Sequence, residues 1–108
     1  MKSKIEAQKR RLVFADKKLE QAYRKLQTSS SQAEKRLHGF ITRALCLLLK
    51  NHSLGEQISQ EQIPRVYKRM FKIKNLWVLD IPPEWQIFYS LAGNQIQIID
   101  MTCNGRPK

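Results

Sequence analysis

The apolar residues of this chain follow helical spacing before residue 75 and strand spacing after it. Spacings of three and four residues link the first apolar positions, which are Leu12, Ala15, Leu19, Ala22, Tyr23 and Leu26. This spacing is typical of one amphipathic helix. Residues 12–14 (LVF) equally indicate a short strand, after which Asp16 would cap a helix beginning at Lys17. Both interpretations end at Leu26, because residues 28–31 (TSSS) favour a turn.

A second helix follows, and its pattern is the clearest in the chain. Ser30 or Ser31 is the predicted N-cap, and Glu34 stands about where a capping box places an acid. The stripe that we expect to lie in the core consists of Ala33, Leu37, Phe40, Ile41, Ala44, Leu45 and Leu48, and Cys46 is expected to be a buried thiol. After Lys50, residues 51–61 read as a polar connection, and Ile63-Pro64 opens a short third helix.

From residue 75 onward the spacing of apolar residues changes to two. Strands are predicted over residues 76–81, 85–91 and 95–101, separated by Pro82-Pro83 and by a hairpin turn at residues 92–94 (AGN). Two helices followed by three antiparallel strands predict an α+β fold, with the helices packed on one face of a small antiparallel sheet. A chain of 108 residues has room for one such domain with one core.

Charge points to a polyanion as the main partner. The net charge is +11, and residues 1–74 hold 18 of the 20 lysines and arginines but only six of the nine acids. Such a lopsided field attracts phosphate backbones, and RNA is the polyanion that we favour. The predicted RNA-binding residues lie off the apolar stripes of the first two helices and are Lys17, Lys18, Arg24, Lys25, Lys35, Arg36 and Arg43. No membrane contact is expected, because the basic segments lack an exposed aromatic face.

The remaining composition favours a cytoplasmic protein without cofactor or metal. Cys46, Cys103, His38 and His52 are the only cysteines and histidines, and their positions form no metal site and no disulfide framework. The chain has no glycine-rich phosphate loop and no Ser-His-Asp arrangement. Its N-terminus is too charged for a secretory signal peptide, and no apolar run approaches the roughly 20 residues of a membrane helix.

Four segments carry a resemblance to a known family. They are residues 12–23 (LVFADKKLEQAY), 63–67 (IPRVY), 75–77 (NLW) and 83–90 (PEWQIFYS). In order and spacing they resemble the RelE/ParE toxin superfamily, in particular its small archaeal-type RelE-like branch. The resemblance implies a first strand over residues 11–15, a helical hairpin, and a three-stranded meander that the first strand joins. It divides the chain into a basic N-terminal arm, residues 1–10, and a single RelE/ParE-like domain, residues 11–108.

The resemblance also implies an activity and a partner. RelE-like toxins cut messenger RNA in the ribosomal A site and so inhibit translation, ParE-like toxins poison DNA gyrase, and an acidic antitoxin protein neutralises the toxin. The expected function is therefore that of a toxin-family protein that binds RNA at the ribosome. It is either a metal-independent endoribonuclease (an mRNA interferase) or a catalytically weakened relative. A non-enzymatic RNA- or ribosome-binding module and a ParE-like topoisomerase inhibitor stay open as alternatives.

The catalytic residues that the resemblance implies depart from the family pattern. RelE-type nucleases usually carry arginine directly after the aromatic residue of the middle strand, where this chain has Gln86 after Trp85. Arg106 is the best match to the basic residue that commonly follows the last strand, and Tyr89 is the expected accessory group. Glutamine can bond a phosphate but adds no charge. Losing one preorganised donor to the transition state commonly costs about 10²–10³ in rate.

Overall fold

The computed structural model describes residues 11–81 and 85–103. Within them the chain forms three α-helices, five β-strands and a turn of 3₁₀ helix over Gln60–Gln62. In chain order the elements are β1 (Arg11–Phe14), α1 (Lys17–Gln27), α2 (Gln32–Lys50), β2 (Glu56–Ile58), α3 (Arg65–Phe71), β3 (Leu76–Ile81), β4 (Trp85–Ala92) and β5 (Gln95–Cys103). The α+β class is confirmed, whereas the predicted arm of residues 1–10 lies outside the described residues.

One mixed sheet contains all five strands, in the order β1-β5-β4-β3-β2. β3, β4 and β5 form the predicted antiparallel meander. The hairpin between β4 and β5 turns at Gly93, whose φ of 63° lies in the region that favours glycine. β1 runs parallel to β5 and places Leu12 opposite Ile96, so the prediction of a purely antiparallel sheet is wrong at this edge. Residues 11–14 therefore form a strand, which decides between the two interpretations that the sequence leaves open.

Both long helices begin at side chains that the sequence marks as caps. The Asp16 carboxylate accepts a hydrogen bond of 3.0 Å from the backbone N–H of Lys18 at the start of α1. The Ser31 hydroxyl accepts one of 3.3 Å from the backbone N–H of Glu34 at the start of α2. Each cap is worth about 1 kcal/mol. Together they fix where the two arms of the helical hairpin begin.

The larger core lies between this helical hairpin and one face of the sheet. α2 contributes the buried residues Ile41, Ala44, Leu45 and Leu48. The sheet contributes Ile81, Ile87, Tyr89, Ile96 and Ile98. α1 has no fully buried residue and adds the half-buried Leu19, Tyr23 and Leu26. α1 thus lies at the margin of this core, with most of its surface in solvent.

The opposite face of the sheet has a smaller core of its own, beneath α3. Its buried residues are Ile63, Ile73, Leu76 and Ile99, with Tyr67, Phe71 and Phe88 packed against them. Tyr67 and Phe71 are four residues apart and therefore share one side of α3. The two long helices pack on one face of the sheet as predicted, whereas this aromatic pair anchors α3 on the other face, a position that was not predicted.

β2 is a strand within the segment predicted to be a polar connection. It pairs antiparallel with β3 and places Gln57 opposite Trp77. Gly55 precedes it and lies so close to β3 that a Cβ would come within 2.4 Å of the Val78 carbonyl oxygen. A strand of three residues with one apolar side chain is too short for a period of two to be recognised. The prediction of a connection over residues 51–61 is therefore wrong for Glu56–Ile58.

Three residues of α2 that were expected in the core are exposed. They are Ala33, Phe40 and Cys46, and Phe40 retains 43% of its accessible surface. Cys46 is two residues from both Ala44 and Leu48, which is about 200° around the helix, so it lies on the solvent side. Ala33 and Phe40 lie along one margin of the apolar stripe, which the sheet does not cover. The predictions of burial are wrong for these residues.

Candidate nucleic-acid interface

The predicted RNA-binding residues lie on the solvent side of α1 and α2. We call them the basic helical face: Lys17, Lys18, Arg24, Lys25, Lys35, Arg36 and Arg43, all of which are exposed. In α1 the cations lie opposite the half-buried side formed by Leu19, Tyr23 and Leu26. In α2, Arg36 and Arg43 are seven residues apart and therefore nearly in line, on the side away from the core.

Aromatic contacts hold the two helices of this face together. The Tyr23 ring of α1 stacks on His38 of α2 with 4.7 Å between ring centroids. The same ring lies 5.5 Å from the ring of Phe14 in β1, and its hydroxyl hydrogen-bonds the Thr42 hydroxyl. Tyr23 thereby connects β1, α1 and α2. The cations of both helices are therefore presented on one connected scaffold.

Most of these cations are not neutralised by neighbouring acids. Within residues 11–81 and 85–103 one ion pair forms, between Arg24 and Glu20 at 2.8 Å. It joins exposed partners four residues apart, so it is worth only about 0.3–0.5 kcal/mol. Lys18 has the most acidic cleft of the set, because it lines a cleft with both Asp16 and Asp100. Arg36 and Arg43 each share a cleft with one carboxylate, Glu34 and Asp80 respectively. Lys25, Lys35 and Arg36 lie near the turn end of the hairpin, and none of them forms an ion pair within the described residues.

Gln86, the predicted catalytic position in β4, is paired with an acid. Its side-chain amide donates a hydrogen bond of 3.0 Å to the Asp80 carboxylate, and the two residues face each other across β3 and β4. One of the two amide N–H donors is thus occupied, and the carboxylate repels a phosphate at this position. The surroundings of Gln86 oppose the role that the family pattern gives to this position.

Tyr89, the predicted accessory group, has no exposed surface. Its hydroxyl accepts a hydrogen bond of 3.0 Å from the Gly55 N–H and donates one of 3.1 Å to the His52 carbonyl oxygen. Burial raises the pKa of this hydroxyl, and the Gly55 N–H opposes that shift. The Tyr89 ring stacks on Trp77 at 6.1 Å. These contacts favour a structural role, which is to hold the loop before β2, over an accessory catalytic role. Arg106 lies outside the described residues.

Sequence reasoning missed a second group of cations, on the other face of the sheet. Arg65, Lys68, Arg69 and Lys72 are exposed on or directly after α3, and Lys74 follows. Five cations in ten residues indicate a second basic surface in the sequence itself, although the segment was predicted only as a short helix with apolar contacts. Positive surface therefore lies on both sides of the sheet.

An apolar groove beside α2 was also missed. Phe40, Leu47 and Leu54 are each more than 40% exposed, and with Ala44, Leu79 and Ile81 they line a cleft of about 350 Å³. Phe40 is shared with a second cleft, lined also by Leu26, Ala33, Leu37 and Trp85. The two clefts meet at Phe40, and we call them together the apolar groove beside α2. Arg43 and Arg36 border it, together with the carboxylates of Asp80 and Glu34.

Comparison with family models, curated proteins and solved structures finds no match for this chain. Across the described residues no helix has the length and apolar character needed to cross a bilayer. In the same part of the chain, no three His, Cys, Asp or Glu side chains are grouped as they are around a metal ion.

Proposed function

We propose that this protein binds RNA through the basic helical face and acts at the ribosome as a relative of the RelE/ParE toxins. The support is the set of exposed, largely unpaired cations on one helical hairpin, in a chain with a net charge of +11. Unpaired surface cations displace the counterions condensed on a phosphate backbone, and the release of those counterions drives binding. The resemblance of four sequence segments to the RelE-like branch supplies the ribosome as the place of binding.

We infer further that the protein is the catalytically weakened form of such a toxin. This inference is supported by two positions in β4. Gln86 has no charge, and Asp80 holds its amide. Tyr89 is buried, with its hydroxyl bonded to backbone groups. Metal-independent RNA cleavage needs cationic or acidic donors that reach the phosphate as charge develops. Gln86 and Tyr89 supply no such donor, so we propose that this protein binds RNA without cutting it efficiently.

The salt dependence of RNA binding tests the assignment of the binding face. Replacing Lys25, Lys35 and Arg36 by glutamine removes the cations at the turn end of the hairpin. Affinity for a fluorescein-labelled single-stranded RNA should fall. The slope of log affinity against log salt should flatten by about 0.7 for each phosphate that the variant no longer binds. Fluorescence anisotropy across a salt series measures both quantities.

Lys18→Gln is the matched control, because Lys18 shares its cleft with two carboxylates. It removes one charge from the same hairpin. It should flatten the slope of log affinity against log salt less than Lys25→Gln, Lys35→Gln or Arg36→Gln does when each is made alone. An unchanged slope in the triple variant would reject the basic helical face as the binding surface. Induced expression in cells separates the alternatives: translation arrest supports action at the ribosome, and a DNA-damage response supports the topoisomerase inhibitor.

We also propose that an acidic, amphipathic segment of a separate small protein covers the apolar groove beside α2. Its support is the exposed apolar surface of Phe40, Leu47 and Leu54 in a strongly basic chain. Within the groove the two arginines are balanced by two carboxylates. The preference for an acidic partner therefore comes from the surrounding helices, and apolar contact supplies the affinity. The resemblance to toxins with acidic antitoxins agrees with such a partner.

A further inference from the structure

A polar cleft lies at the end of the sheet that carries the β4–β5 hairpin. One wall is the connection from α3 to β3, and the other is the end of β4 and the start of β5. The cleft measures about 420 Å³, within the range of small-ligand sites, and its lining residues are Lys72, Ile73, Lys74, Asn75, Ser90, Leu91, Ala92, Gly93 and Gln97. None of the predicted RNA-binding or catalytic residues lies in it.

The floor of this cleft is held in place by the side chain of Asn75. Its carbonyl oxygen accepts hydrogen bonds from the Leu91 N–H at 2.8 Å and from the Ser90 hydroxyl at 3.2 Å. Its amide donates to the Leu91 carbonyl oxygen at 2.9 Å. Asn75 thereby links the connection before β3 to the end of β4. The two walls are fixed relative to each other before any ligand enters.

The charge of this cleft sets it apart from four other clefts on the surface of the described residues. Each of those includes at least one carboxylate among its lining residues: Asp80, Glu34, Asp16 with Asp100, and Glu56 with Asp80. The cleft at the hairpin end includes two lysines and no acid. Neither Lys72 nor Lys74 forms an ion pair within residues 11–81 and 85–103. A third cation, Arg11, is brought to the same end by a hydrogen bond of 2.8 Å from its backbone N–H to the Asn94 carbonyl oxygen.

Lys72 also occupies a backbone position that favours glycine. It is the C-cap of α3 and has a φ of 53°, and it is the one non-glycine residue at positive φ in the described part of the chain. Helices commonly end in this conformation with glycine, because a Cβ is strained there. A lysine at this position gives up stability. Strained backbone of this kind is concentrated at functional sites.

We propose that this cleft binds a backbone phosphate of single-stranded RNA, with Lys72 and Lys74 as its cationic donors and the Gln97 amide beside them. The inference rests on the proposed RNA binding and adds a contact on the side of the sheet opposite the basic helical face. Arg11, at the same end of the sheet, offers a further cation to an RNA segment that passes around this end from one surface to the other.

Side-chain amide signals in NMR spectra test the site directly. On titration with a short oligouridylate, the side-chain amide of Gln97 should shift and saturate. The side-chain amide of Gln86, which Asp80 holds at the other end of the sheet, should stay in place. The Lys72→Gln variant should reduce the Gln97 shift and flatten the salt slope by about 0.7. Lys50→Gln, which removes one exposed charge at the end of α2, should do neither.

Lys72→Gly gives a second test, which distinguishes an RNA-binding role of the Lys72 side chain from a purely structural one. It should leave the melting temperature unchanged or raised, because glycine adopts positive φ without strain, while RNA affinity falls as in Lys72→Gln. A lower melting temperature with unchanged RNA affinity overturns the proposal. The proposal is also overturned if Lys72→Gln changes RNA binding no more than Lys50→Gln does, while substitutions on the basic helical face weaken it. That result would leave the proposed function intact. If the wild-type chain binds no RNA in low salt, the proposed function fails, and this inference fails with it.

Discussion

The Tyr89→Phe substitution, which removes one hydroxyl, should lower the free energy of unfolding substantially. The hydroxyl is bonded to the Gly55 N–H at 3.0 Å and to the His52 carbonyl oxygen at 3.1 Å. Two hydrogen bonds contribute about 1 kcal/mol each, and a buried group left without a partner costs about 1–3 kcal/mol. We therefore expect a loss of about 2–4 kcal/mol in the free energy of unfolding. For a domain of this size that lowers the melting temperature by about 10 °C or more.

Urea denaturation followed by tryptophan fluorescence measures this loss, since Trp77 stacks on the Tyr89 ring. Tyr23→Phe is the matched control: the same chemical change removes a bond to the Thr42 hydroxyl, which can turn to another partner. It should cost about 1 kcal/mol or less. Equal losses in the two variants would refute the structural role of the Tyr89 hydroxyl. A loss of RNA cleavage at unchanged stability would instead support the accessory catalytic role.

Gly55→Ala probes the same loop from its other side. A Cβ at this position would lie 2.4 Å from the Val78 carbonyl oxygen and 2.8 Å from the Tyr89 hydroxyl oxygen. Relieving that overlap requires the loop to move away from β3, at a cost of about 1–3 kcal/mol. Because both substitutions break the contact between Gly55 and Tyr89, the double variant should lose less stability than the two single variants together. Additive losses would show that the loop and Tyr89 are independent.

Two further predictions concern catalysis and the apolar groove. Wild-type protein should cleave end-labelled RNA weakly or not at all. Gln86→Arg should raise or create cleavage, because it restores a bidentate phosphate donor. Arg106→Ala should lower any cleavage about 10²-fold. Cleavage by the wild type that neither substitution alters would place the site elsewhere. From nuclease-treated native lysate the chain should retain a small acidic protein. Phe40→Glu in the groove should abolish this retention, but Met70→Glu on exposed α3 should not; equal retention by both variants would reject the groove as the docking site.

The sequence by itself determined the two long helices with their caps and the three strands of the meander, but it left β1 open between strand and helix and gave no sign of β2. The helical spacing and the N-caps Asp16 and Ser31 lie within single segments, and so do the three strands of the meander. Hydrogen bonds and side-chain periodicity within a segment depend on residues a few positions apart, so they can be read directly from the chain. The concentration of positive charge in residues 1–74 can likewise be read directly from the sequence.

Only the tertiary structure decided how these elements meet. Helical periodicity marks an apolar side but not how much of it a neighbour covers, so Phe40 was expected in the core and lies in an open groove. The roles of Gln86 and Tyr89 depend on Asp80 and on the loop at Gly55, which reach them only through the register of β3, β4 and β2. The cleft at Lys72 likewise joins the segment before β3 to the end of β4 and to Gln97 in β5. Pairings of this kind are set by packing between distant segments, because each strand can adopt several registers until the core selects one.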